Sequence, residues 1–89
     1  MAEFNQLGTY LRKKRLEKDM SQAELARTLK GVHVQFVSNW ERGLCAPPGH
    51  SFHKLIDVLK LNREALVEVM LKDSKSVIEA RIYKKKSKR

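Results

Sequence analysis

A single cysteine, Cys45, stands among 89 residues, so no disulfide can form within the chain. Small extracellular domains with weak cores rely on several disulfides; this chain must cohere by packing, and a reducing, intracellular setting is expected. The only prolines, Pro47 and Pro48, are adjacent, which leaves long stretches on either side open to helix. Aromatic residues make up 7 % of the sequence, short of the stacking platforms that single-stranded RNA readers use. No apolar run approaches the roughly 18–20 residues that span a bilayer, so no membrane association is expected. The first residues also lack the basic-then-apolar order of a secretory leader. A cytoplasmic, nucleoid-associated protein is the expectation.

Acidic residues are the other shortage. Ten of them face 19 lysines and arginines, for a net charge of +9. Such an excess suits a polyanion. The excess is uneven: residues 1–71 hold 11 basic and 8 acidic residues, whereas residues 72–89 hold 8 and 2. We therefore expect one small globular domain over residues 1–72 and a basic extension over 73–89, ending in a solvated, mobile "KKKSKR".

Catalytic constellations are missing as well. There is no nucleophile–base pair, phosphate-binding loop or paired-carboxylate site, and an enzyme is not expected. Cys45, His50 and His53 do not have the spacing of a zinc finger, and their loop is proline-rich, so no metal and no cofactor are expected.

What the chain does have is helical periodicity. Leu7, Leu11 and Arg15, with Tyr10 beside them, predict a helix over about residues 4–18. Ser21 and Glu24 form a capping box for a second helix, with Met20 and Leu25 as its hydrophobic staple and Leu25, Ala26 and Leu29 facing inward. Gly31 supplies its left-handed ending. A third helix begins at once, with His33 at the cap, Val32 and Val37 as staple, Val37 and Trp40 inward, and Gly43 as its stop. "LCAPPGH" reads as a loop. Phe52, Leu55, Ile56 and Leu59 predict a fourth helix capped by Ser51. Asn62 caps a fifth, with Leu61 and Leu66 as staple and Leu66, Val69 and Met70 inward. The fold class is all-α with five helices. Residues 74–83 are ambiguous: Ile78, Ala80 and Ile82 alternate as in a strand, while Ile78 and Ile82 also suit a helix.

A helix, a tight turn and a second helix, with small Ala26 near their crossing, is the construction of a helix-turn-helix. Its second helix can enter the major groove of double-stranded DNA. The exposed positions of that helix are Val34, Gln35, Ser38 and Asn39, with Phe36 at the margin. The amides of Gln35 and Asn39 can donate and accept together, as bidentate contact with adenine requires, and Val34 and Phe36 can meet thymine methyl groups.

With "LGTYLRKKR", "SQAELA", "VSNWERG" and "FHKLIDVLKLN" in this order, residues 7–70 resemble the Xre/Cro/CI-type helix-turn-helix regulators, which include the lambdoid phage repressors. The resemblance implies a lambda-repressor-like DNA-binding domain. It implies that Gln22 holds a phosphate and buttresses the third helix, that Val34, Gln35 and Asn39 face bases, and that Arg15 pairs with Glu41. Arg12, Lys13 and Arg42 are further candidates for the DNA backbone. Three positions depart from the family pattern. "LKGVH" carries one residue more in the turn, His33 replaces a serine or threonine cap, and Val34 stands where a polar residue is common. The expected function is transcriptional regulation, as a repressor binding an inverted repeat as a homodimer. The alternative is an antitoxin or bridging co-regulator that binds a protein partner through residues 73–89.

Overall fold

A computed structural model describes residues 3–83, and the basic run 84–89, expected above to be solvated and mobile, lies outside the described residues. Five helices follow one another: α1 (Asn5–Glu17), α2 (Gln22–Thr28), α3 (Val34–Glu41), α4 (Gly49–Leu59) and α5 (Arg63–Tyr83). Among the described residues there is no strand, and no helix is long and apolar enough to cross a membrane.

The core gathers the inward stripe of every helix. Leu7 and Leu11 of α1, Leu25 and Ala26 of α2, Val37 and Trp40 of α3, Leu55 and Leu59 of α4, and Leu66 of α5 are buried together with Leu29 and Leu61. Met20 and Val32, each just before a helix cap, pack against this cluster from the rim, where staple residues belong.

The helix ends explain why the elements fall where they do. At α2, Ser21 Oγ accepts the Glu24 N–H at 3.0 Å while Glu24 Oε1 accepts the Ser21 N–H at 2.8 Å, a complete capping box. Asn62 Oδ1 accepts the Ala65 N–H at 2.9 Å and starts α5. In the turn between α2 and α3, Lys30 and Gly31 are both left-handed, with φ of 54° and 77°. Two consecutive left-handed residues accommodate the additional residue of "LKGVH".

One sequence-based expectation, the start of the fourth helix, is corrected. Helix α4 starts at Gly49, not after Ser51, because Pro48, extended at φ −67° and ψ 161°, is its N-cap. The Pro48 carbonyl accepts the N–H groups of Ser51 and Phe52, and a proline at a helix entry gives up no N–H that the helix needs. Ser51 is buried within the first turn, and Gly49 and His50 are helical rather than loop. His33 occupies the N-cap of α3 but its side chain caps nothing; the ring stands 6.3 Å from that of Phe36. Residues 74–83 are helix, continuing α5 without a break past residue 72.

Candidate nucleic-acid interface

Helix α3 presents its outer face next to the α2–α3 turn. Val34 and Phe36 are 45 % and 49 % exposed, Gln35 is exposed, and Ser38 and Asn39 are half-buried, while Val37 and Trp40 point into the core. The amides are pre-ordered: Asn39 Oδ1 accepts from Gln35 Nε2 at 3.1 Å and from Arg42 Nη2 at 3.2 Å. Gln35, Asn39 and Arg42 therefore form one polar ridge along α3, a turn apart from each other, with Val34 and Phe36 at its N-terminal end.

The inner support of α3 is ionic. Arg15 Nε donates to Glu41 Oε2 at 2.7 Å and Arg15 Nη2 to Glu41 Oε1 at 3.0 Å, a two-pronged pair whose side chains are 7 % and 3 % exposed. Arg15 Nη1 also donates to the Met20 carbonyl, at 2.6 Å, so one guanidinium ties α1, the entry of α2 and the end of α3. The bond to Glu41 is the main reason the Arg15 pKa is raised above its ordinary value, against the opposing effect of burial. Gln22, the first residue of α2, donates from Nε2 to the same Glu41 Oε1 at 2.9 Å. Its side chain lies between the two helices, with its partner on the end of α3.

Arg12 and Lys13 are exposed on α1, and Arg42 is exposed at the C-cap of α3. The sequence-predicted residues thus divide into two sets. Gln22 meets the buried Arg15–Glu41 pair from the rim, half-buried itself, and Gln35, Asn39 and Arg42 meet on the surface of α3. Arg12 and Lys13 stand apart from both, on α1.

Two positions that fix how α1 packs were not found from the sequence. Gly8 lies under the end of α3: a Cβ there would come within 2.5 Å of the Glu41 carbonyl oxygen and 2.7 Å of the Trp40 carbonyl oxygen. Only glycine lets these backbones approach so closely. Asp73 of α5 accepts the backbone N–H groups of Gln6 and Leu7 at 2.8 and 2.9 Å, capping α1 from far along the chain. Its inward place was readable, since it falls four residues after Val69 and seven after Leu66. Its partner was not.

A family model described as Helix-turn-helix matches residues 11–66, more than half of the chain, and covers α2, α3 and the turn between them. No curated protein and no solved structure matches the chain. The matched span contains the ionic cluster and the whole exposed face of α3. The chain belongs to the Xre/Cro/CI-type helix-turn-helix family, a family of DNA-binding regulators.

Proposed function

We propose that the protein is a transcriptional repressor that binds an inverted-repeat operator as a homodimer, each copy reading one half-site with α3. The observation that carries this reading is the outer face of α3, where exposed Val34 and Phe36 adjoin the hydrogen-bonded ridge of Gln35, Asn39 and Arg42. Amides suit adenine edges and the two apolar side chains suit thymine methyl groups; Ser38 completes the base-facing set. Gln22, Arg12, Lys13 and Arg42 hold phosphates and fix the register without reading sequence. Occupancy is enough for repression, because a bound dimer blocks the duplex that it covers. This work belongs in the cytoplasm, at the nucleoid.

Helix α5 supplies the dimer contact in this proposal. Val67, Leu71, Ile78 and Ile82 are all more than half exposed. At about 100° per residue they fall within an arc of about 60° on one side of the helix. This stripe faces away from Leu66, Val69 and Asp73, which point toward the body of the protein. Large apolar groups in such a row are covered in a stable assembly, and a second copy brings an identical row by two-fold symmetry.

The test is a mobility-shift series on a duplex operator and on a scrambled duplex across salt concentrations. A regulator binds the operator far more tightly than the scrambled duplex, and its log affinity falls steeply and linearly with log salt. Weak binding without preference for the operator, alongside tight capture of a protein by residues 73–89, supports the co-regulator instead.

A further inference from the structure

Asp73 is 4 % exposed in the most basic part of the chain. Its carboxylate accepts two consecutive N–H groups at the start of α1, where the aligned peptide dipoles favour negative charge. The N-cap of α1 itself, Phe4, brings no capping side chain. Asp73 thus joins α5 to the first turn of α1 by hydrogen bonds, within a wider contact between the two helices in which the Asn62 N–H also donates to the Tyr10 hydroxyl. The other face of this end of α1 rests on α3: the Phe4 N–H donates to the Gly43 carbonyl at 3.0 Å, and Gly8 abuts the Trp40 and Glu41 carbonyls.

We propose that Asp73 is a positioning residue that fixes the distance and angle between the two α3 helices of a DNA-bound dimer. The proposal rests on the dimeric reading above, in which the stripe of α5 faces a second copy. From that stripe to the base-reading face runs an unbroken series of close contacts. Asp73 lies on the far side of α5 from the stripe and grips α1, and α1 is seated on the end of α3. A buried carboxylate with two donors has one good arrangement and is costly to leave unpaired, so α5, α1 and α3 move as one body. A stiff body transmits the geometry of the dimer contact to the DNA. One added base pair between half-sites rotates one against the other by about 35° and shifts it by about 3.4 Å. A stiff dimer cannot follow that change; a dimer hinged at the start of α1 can.

The experiment uses the full chain and a set of operators in which two copies of its half-site are separated by spacers varied by one and two base pairs. The wild-type protein should show a sharp optimum, losing about tenfold or more per base pair away from it. Asp73→Asn should flatten the profile, to within about threefold across the same spacers, and Asp73→Ala should flatten it further. If the alanine variant does not fold, the asparagine variant, which keeps an acceptor, decides. A loss of affinity by one common factor at every spacer, with the optimum as sharp as before, makes Asp73 a stabilising cap only and overturns the proposal. A wild-type profile that is flat from the outset overturns the dimeric reading and the role of Asp73 with it.

Discussion

Asn39 Oδ1 is shared between Gln35 and Arg42, so these three side chains behave as a unit rather than as three separate contacts. Replacing Gln35 or Asn39 by alanine should each weaken operator binding by about 1–3 kcal/mol while barely changing binding to scrambled DNA. Because the two are hydrogen-bonded to each other, the double variant should lose less than the sum. Equal losses on both DNAs would reassign them to holding the backbone. The Arg15–Glu41 pair is a different case, since its side chains are almost entirely buried. Arg15→Ala or Glu41→Ala leaves a charge buried without its partner, at about 3–5 kcal/mol, and removing both should be milder than the sum of the two. Strict additivity in a denaturation cycle would contradict the contact. The raised pKa of Arg15 adds stability that is complete below its ordinary value and is lost only as pH rises through the raised one. No alkaline loss from this pair is expected in neutral or mildly basic buffers.

Helix α2 begins on a pH-dependent cap. The hydrogen bond from the Ser21 N–H is the main reason the Glu24 carboxyl sits below the usual glutamate range. A lowered carboxyl pKa contributes stability that is present above the unfolded value, about 4.3, and is lost as pH falls through the folded one. Thermal unfolding followed from neutral to acid pH should therefore show a component that disappears in Glu24→Gln; an identical acid limb in both proteins would contradict it. This cap was legible because both of its members lie within four residues of sequence. The same holds for Asn62 at α5 and for Gly43, left-handed at φ 76° after α3. The start of α4 was misplaced because Pro48 and Gly49 are read as breakers, although a proline at a helix entry loses no hydrogen bond. Gly8 and Asp73 were out of reach for a stronger reason. Their partners lie on α3 and α1, brought close only by the finished packing. The polarity of α3's outer face was legible from its spacing, but the Gln35–Asn39–Arg42 ridge depends on rotamers that no spacing rule supplies.

At the level of the whole molecule, the shape is long for its size, 48 × 26 × 22 Å over the described residues, with α5 the longest helix. Charge on the stripe of that helix should separate self-association from folding. Leu71→Lys with Ile78→Lys places two cations where apolar side chains already face water. Sedimentation should show these chains shifted to monomer with unchanged helix content, and operator affinity should fall with them, since linking two weak half-site contacts is what gives a dimer its affinity. Undiminished self-association would move the contact off α5. The most direct measurement of the central claim, that α3 reads duplex DNA in a two-fold dimer, is selection of binding sites from random double-stranded DNA with the full chain. The account predicts enriched sites made of two inverted half-sites centred about one helical turn, roughly 34–36 Å, apart, and loss of that enrichment in Asn39→Ala. Recovery of no common sequence, or of one asymmetric site indifferent to Asn39, would contradict it.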